Sequence, residues 1–252
     1  MKYYHIHGIR RSGNHIVINW IAENFLEKFK KVIFFNDIDP MLNEVKVKGS
    51  TLPCIDHPFT LLSDNFDCVI ASLENRLCDE RENSNEYRFY DFFKEKKRTK
   101  YEIIVIRDFY NLLASQYQAT MVNNWGYAKS RGGDLRNNFG GFEDMWAIYV
   151  DKAKKKEMIV YDDFIHKSGY RKELALKLGF ADQDVGLAKV PGYGFGSSFK
   201  DKEHKNKQRE RWKIMLNNKG FVKMAKKFKY KAEYLELFGE TEAFKYFSKK
   251  CK

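Results

Sequence analysis

Cysteine and proline are scarce in this sequence, and each scarcity disfavours particular kinds of structure. The cysteines are Cys54, Cys68, Cys78 and Cys251. None forms a Cys-x-x-Cys pair, and no histidine lies at zinc-finger spacing from them. A disulfide scaffold and a structural zinc site are therefore disfavoured, and we predict reduced thiols and no metal centre. The four prolines are too few for long extended linkers.

Long apolar runs are missing as well. No stretch approaches the roughly 20 apolar residues of a membrane-spanning helix, and the first residues, Met-Lys-Tyr-Tyr-His-Ile-His-Gly, lack the apolar region of a signal peptide. We therefore expect a cytoplasmic protein without a membrane partner. Apolar residues still make up 43% of the 252 residues, which is enough for a sizeable core. We predict a single domain over residues 1–252.

Acidic residues are outnumbered by basic ones, 34 to 46, and the formal charge is +12. The excess is greatest at the C-terminus, where residues 200–252 hold 17 Lys and Arg against 7 Asp and Glu. A positive balance favours anionic partners such as nucleotides, nucleic acids or acidic glycans. Residues 217–252 are predicted to form a basic helical extension, with its lysines on a solvated surface.

Five short apolar segments have the composition of buried strands, and helical patterns separate several of them. They cover residues 3–7, 31–36, 67–73, 101–106 and 157–161. Because they are apolar throughout rather than alternating, they indicate a parallel sheet covered by helices. We predict a three-layer α/β fold: a mostly parallel central sheet, helices on both faces and a P-loop-like phosphate-binding loop. Ligands of such sheets bind beyond the carboxyl ends of the strands.

The first predicted strand leads into Gly8-Ile-Arg-Arg-Ser-Gly-Asn-His15, here called the glycine loop, and then into a helix. A strand, Gly-x-x-x-x-Gly and a helix form the layout in which backbone N–H groups converge on a phosphate. Asn14 and His15 stand where Mg²⁺-dependent NTPases need Lys and then Ser or Thr, so that class is disfavoured. The cations lie inside the loop instead, at Arg10 and Arg11. A glycine pair that serves only a tight turn is the alternative.

A second cluster follows the fourth predicted strand. Arg107 comes directly after that strand, and Ser115 lies eight residues later in the next helix, a little over two turns away. A guanidinium and a hydroxyl together suit a phosphate monoester. Since the glycine loop and Arg107 both follow strand ends, we expect them to face one crevice. The alternative is that Arg107 pairs with Asp108 or a surface carboxylate and that Ser115 has no role.

Together the two clusters resemble the sulfotransferases that use 3′-phosphoadenosine 5′-phosphosulfate (PAPS). The resemblance rests on Arg11-Ser-Gly-Asn-His15 after the first strand and on Arg107-Asp-x₆-Ser115 after a later one. Weaker similarities to the family are found at Val160–Phe164, Gly194–Lys200 and Arg211–Lys213. The resemblance covers roughly residues 3–215, and the C-terminal segment beyond it matches nothing in that family.

The resemblance implies a sulfotransferase that converts PAPS to 3′-phosphoadenosine 5′-phosphate (PAP). In that family the first loop holds the 5′-phosphosulfate, and the later Arg and Ser hold the 3′-phosphate. Arg11 takes the position of the basic residue beside the bridging oxygen, where it would stabilise charge on the leaving nucleotide without a metal. The implied nucleotide-binding residues are Arg10, Arg11, Ser12, Gly13, Asn14, His15, Arg107 and Ser115.

Transfer to a hydroxyl or amine also needs a base, and a positioned base contributes about 10²–10⁴-fold. Glu74 follows the third predicted strand, so we expect its carboxylate at the ligand edge of the sheet. His57 resembles a histidine of the cytosolic small-molecule branch, although an extra strand here separates it from the Arg-bearing strand. We favour Glu74. The alternatives are that Glu74 pairs with Arg76 and that His57 is an ordinary loop residue.

Two other functions stay open. A divergent P-loop nucleotide kinase would need Mg²⁺-dependent ATP turnover, which the Asn14-His15 pair disfavours. A non-enzymatic nucleic-acid binder would use the basic C-terminus and stack bases on its aromatic residues. Their near-helical spacing makes core packing the better explanation for Trp212, Phe221, Phe228, Tyr230 and Tyr234. Nothing in the residues fixes the oligomeric state or selects the acceptor, which we expect to be a small molecule or a glycan.

Overall fold

The computed structural model describes residues 2–26, 32–36, 45–47, 50–52, 68–74, 99–123, 141–180, 187 and 207–249. The chain divides into two compact units. The first unit comprises Met1–Ile106 and Ala153–Gly194, and the second comprises Arg107–Lys152 and Phe195–Lys252. The single domain over residues 1–252 stays a prediction.

The described strands form two sheets. They are β1 (Lys2–Gly8), β2 (Val32–Asn36), β3 (Val45–Val47), β4 (Ser50–Leu52), β5 (Cys68–Glu74), β6 (Thr99–Ile106) and β7 (Glu157–Val160). Five of them make one sheet in the order β2-β5-β1-β6-β7, in which every neighbouring pair is parallel. β3 and β4 make a separate antiparallel pair. The predicted α/β class with a mostly parallel sheet is confirmed, and the five predicted strands are present with ends shifted by one or two residues.

Nine helices lie within the described residues. They are α1 (Asn14–Leu26), α2 (Phe109–Asn123), α3 (Phe142–Ala153), α4 (Tyr161–His166), α5 (Ser168–Lys177), α6 (Arg211–Ile214), α7 (Lys219–Lys226), α8 (Lys231–Phe238) and α9 (Glu242–Lys249). None of these helices has the length and apolar character needed to cross a bilayer.

A hydrophobic cluster of the first unit lies on one face of the sheet. Alternate residues of β1, such as Tyr4 and Ile6, join it because successive side chains of a strand point to opposite faces. α1, α4 and α5 cover this face. Trp20 of α1 packs edge-on against Phe164 of α4 and against Phe180, with ring centroids 5.3 and 5.5 Å apart. The second layer of helices expected on the opposite face stays a prediction.

The second unit is built around stacked aromatic rings. Phe109 of α2 stacks on Phe228 with centroids 3.9 Å apart, and Tyr110 stacks on Phe247 of α9 at 5.0 Å. The C-terminal segment is helical, as predicted, and it supplies much of this core. Of the five aromatics predicted to pack in the core, four are buried, namely Trp212, Phe221, Phe228 and Tyr234. The prediction of core packing is confirmed for these four, and their rings are not exposed for base stacking.

Candidate functional site

The glycine loop is held in shape by its own polar side chains. Ser12 Oγ donates to Asn14 Oδ1 over 2.8 Å, and the Ser12 N–H donates to the Ile9 carbonyl over 2.9 Å. A Cβ atom on Gly8 would lie 2.0 Å from Asn14 Oδ1 and 2.6 Å from Ser12 Oγ. Gly8 is therefore required because the side chains of the loop pack directly on its α-carbon. Ser12 and Asn14 are buried, so their side chains shape the loop from inside.

Two backbone positions of the loop have positive φ. Gly13 has φ of 104°, and a Cβ there would come within 2.1 Å of two ring carbons of Tyr161. Arg11 has φ of 74° and is the one non-glycine residue with positive φ in the described part of the chain. A non-glycine residue in this region costs on the order of 1–3 kcal/mol and persists where its surroundings enforce it. Such strain is concentrated at functional sites. Arg11, the predicted catalytic cation, is therefore the strained residue of the loop.

The loop ends at the N-terminus of α1. The N–H of Ile16 donates to the Gly13 carbonyl over 3.1 Å, which closes the first turn of the helix. α1 has 13 residues and no acidic residue in its first turn. Its partial positive charge is thus directed at the loop. Arg10, Arg11 and His15 are partly exposed there. The loop combines cationic side chains with a helix N-terminus, an arrangement suited to a phosphate or sulfate group.

Of the two candidate bases, the structure describes the backbone of Glu74 and does not describe His57. Glu74 is the last residue of β5, and its backbone pairs in register with Gly8 at the end of β1. Its backbone therefore lies at the carboxyl edge of the sheet beside the first residue of the glycine loop, and the position of its carboxylate stays a prediction. His57 lies outside the described residues. The role of either as a base stays a prediction.

Gly13 gives a direct test of the loop geometry. Gly13→Ala is expected to destabilise the protein by roughly 2–4 kcal/mol, because it combines left-handed backbone strain with a clash against Tyr161. Urea unfolding monitored by circular dichroism measures the change. Gly169→Ala is the matched control, because nothing lies within 4 Å of the added atom. Because Gly169 lies in the first turn of α5, its replacement should change the stability by less than about 0.5 kcal/mol. Equal effects of the two substitutions would contradict the described loop.

The second unit brings two arginines to one serine. Arg107 Nη1 and Arg211 Nη1 both donate to Ser115 Oγ, over 3.2 and 2.7 Å. Arg107 is 1% exposed, Arg211 is 8% exposed and Ser115 is 0% exposed. We call these three residues the arginine cluster. Two buried guanidinium groups at one hydroxyl bring together the planar donors that bind a phosphate monoester.

The predicted pair of Arg107 and Ser115 is thus brought together, whereas Arg211 was missing from the predicted binding residues. The sequence similarity at Arg211–Lys213 marks the segment but gives no role to the arginine. Arg211 and Ser115 are 96 residues apart, so no local spacing connects them. Only the packing of α6 against α2 reveals the pair.

Asp108 caps α2 in the second unit. Its Oδ1 accepts from the Asn111 N–H over 2.7 Å and from Asn111 Nδ2 over 2.9 Å. A carboxylate that accepts from a first-turn N–H is the preferred N-cap arrangement, and it is favoured by the helix dipole. The Tyr234 hydroxyl also donates to this carboxylate. The alternative that Arg107 pairs with Asp108 or a surface carboxylate stays open.

Comparison with known proteins adds no further identification. The chain matches no protein-family model, no curated protein and no solved structure. Within the described ranges, no group of three or more His, Cys, Asp or Glu residues is placed to hold a metal ion. The glycine loop and the arginine cluster are each suited to an anionic group.

Proposed function

We propose that this protein is a sulfotransferase that takes a sulfuryl group from PAPS and releases PAP. The observation that carries the proposal is the arginine cluster, in which two buried guanidinium groups meet one hydroxyl. It comes in addition to the cationic glycine loop, so the protein has two clusters that suit anions. A donor with two separate anionic groups, a 5′-phosphosulfate and a 3′-phosphate, matches two clusters better than a nucleotide with one phosphate chain.

In the proposed reaction the glycine loop holds the 5′-phosphosulfate and the arginine cluster holds the 3′-phosphate. An acceptor oxygen or nitrogen attacks sulfur in line, and the bond from sulfur to the bridging oxygen breaks. The electron pair of that bond stays on the phosphate of PAP, where the Arg11 guanidinium stabilises the developing charge. The acceptor proton passes to a base, for which Glu74 and His57 are the candidates. The acceptor is proposed to be a small molecule or a glycan, in the cytoplasm.

Thermal unfolding with PAP in a buffer containing EDTA tests this proposal. A ligand at 100 times its Kd stabilises the folded state by about 2.7 kcal/mol, so the melting temperature should rise by about 5–10 °C. Adenosine 5′-monophosphate (AMP) at the same concentration should give a smaller rise because it lacks the 3′-phosphate. No rise with millimolar PAP would count against the proposal.

The alternatives predict different results in the same buffers. A divergent nucleotide kinase would hydrolyse or transfer phosphate from ATP only when Mg²⁺ is present. A nucleic-acid binder would be stabilised by oligonucleotides in a strongly salt-dependent way. The buried rings of Trp212, Phe221, Phe228 and Tyr234 weigh against the second alternative, since stacking needs an exposed ring face.

A further inference from the structure

Residues 208–212 form a turn that precedes and begins α6, and side chains at the start of α2 hold its backbone. Arg107 Nη2 donates to the Gln208 carbonyl over 3.2 Å. Asn111 Nδ2 donates to the Arg209 carbonyl over 3.1 Å, and Asn111 Oδ1 accepts from the Trp212 N–H over 3.4 Å. The turn is thus fastened on both sides of Arg211.

Asn111 makes two of these contacts with one amide group. Its Nδ2 also donates to Asp108 Oδ1 over 2.9 Å, so both hydrogens and the oxygen of the amide are engaged. The side chain is 3% exposed. Alanine at this position would leave the part-buried Arg209 carbonyl and the buried Trp212 N–H without this partner.

The Asn111 amide also donates to the carboxylate of Asp108, and the C-terminal helices hold that carboxylate in place. The Tyr234 hydroxyl donates to Asp108 Oδ2 and lies 2.6 Å from Thr241 Oγ1. Burial, followed by the negative charge of Asp108, raises the pKa of Tyr234, so its phenol stays protonated and remains a donor. Asp108 is thereby fixed, and through it the orientation of Asn111.

α6 cannot hold Arg211 by itself. It has four residues, about one turn, and so short a helix has little stability of its own in water. The position of the Arg211 guanidinium therefore depends on the contacts that fasten the turn to α2. Asn111 supplies the two that flank Arg211 most closely, at Arg209 and Trp212.

We propose that Asn111 is a positioning residue, which binds no ligand itself but holds Arg211 at Ser115 and so sets the affinity of the arginine cluster for its anion. The identity of that anion, the 3′-phosphate of PAP, rests on the proposed function. The fastening of the turn by Asn111 does not rest on it.

Two measurements on Asn111→Ala in the full chain test the proposal. By titration calorimetry, PAP affinity should fall about 10–100-fold, as expected for a charged group displaced by an ångström, while AMP affinity changes less than about threefold. By hydrogen exchange without ligand, the amides of residues 207–216 should exchange faster, while those of residues 219–226 should not change.

Asn218→Ala is the matched control. Asn218 caps α7 in the same unit, and its Oδ1 accepts from the Phe221 N–H over 3.0 Å. This variant should speed exchange in residues 219–226 and leave PAP affinity within about threefold of the parent, because the lost cap holds α7 and not the turn at 208–212.

Tyr234→Phe tests the same anchor if Asn111→Ala fails to fold. It removes the hydroxyl that holds Asp108 without changing the ring, and we expect a smaller loss of PAP affinity with faster exchange in residues 207–216. Unchanged PAP affinity or unchanged exchange in 207–216 in the folded variant would overturn the proposal. If the parent protein does not bind PAP, the proposed function fails, and the exchange measurement still decides whether Asn111 holds the turn.

Discussion

An Arg107→Ala variant is expected to bind PAP at least about 30-fold more weakly than the parent protein while binding AMP within about threefold. Arg107 is 1% exposed, and its guanidinium donates to both Ser115 and the Gln208 carbonyl. Removing a buried charged partner of a ligand costs about 2–5 kcal/mol, which corresponds to factors of about 30 and more. AMP lacks the 3′-phosphate and so does not use this charge. Titration calorimetry in Mg²⁺-free buffer measures both affinities.

Arg171→Ala is the control for the loss of a buried arginine. Arg171 is 8% exposed, and its guanidinium donates to the carbonyls of Phe164 and Ile165, over 2.8 and 3.2 Å. These contacts hold the end of α4, so the variant should lose stability without a change in the ratio of PAP to AMP affinity. If Arg107→Ala leaves that ratio at the parent value, the arginine cluster does not bind a 3′-phosphate.

The strands of the large sheet could be predicted because each is a continuous apolar segment of the sequence. A strand buried on both faces is an apolar run of five to eight residues, and 101–106 shows it most clearly. β3 and β4 have three residues each, Val45–Val47 and Ser50–Leu52. A run of three is too short to show a period, which is why this pair was not predicted.

The arginine cluster shows which of its contacts can be predicted from the spacing of residues along the chain. Arg107 and Ser115 could be paired from the sequence because a helix of known pitch joins them. Arg211 could not be added, because its place depends on how the turn at 208–212 docks on α2. That docking is made by side chains that include Arg107 and Asn111, and Asn111 looks in the sequence like any polar helix residue.

The position of the glycine loop was predicted from the sequence, and the structure adds the conformation and contacts of its individual residues. The spacing of Gly8 and Gly13 indicates a phosphate loop, yet it does not tell which side chains turn inward. Ser12 and Asn14 bond to each other and are buried, so they shape the loop. The positive φ at Arg11 could not be predicted either, because a sequence pattern places glycine, not arginine, in that conformation.

Replacing Arg11 is expected to lower kcat for sulfuryl transfer from PAPS by about 10²–10³-fold, the usual effect of removing one group that stabilises a developing oxyanion. PAPS affinity should change much less, because the proposed interaction strengthens only as the bridging oxygen gains charge during transfer. Arg11→Ala shows this in single-turnover assays with saturating PAPS. Arg10→Ala is the matched control, since Arg10 is the neighbouring, equally basic and partly exposed residue, and its loss should cost less than about tenfold.

Arg11→Gly separates the catalytic role from a structural one. Glycine adopts the φ of 74° without the roughly 1–2 kcal/mol that a left-handed conformation costs other residues, and this gain offsets its greater loss of chain entropy. The variant should therefore melt at the same temperature as the parent or higher while being as inactive as Arg11→Ala. Loss of both stability and activity would show that Arg11 mainly maintains the loop. Retained stability with lost activity would mean that the protein tolerates strain at Arg11 because the guanidinium is needed there.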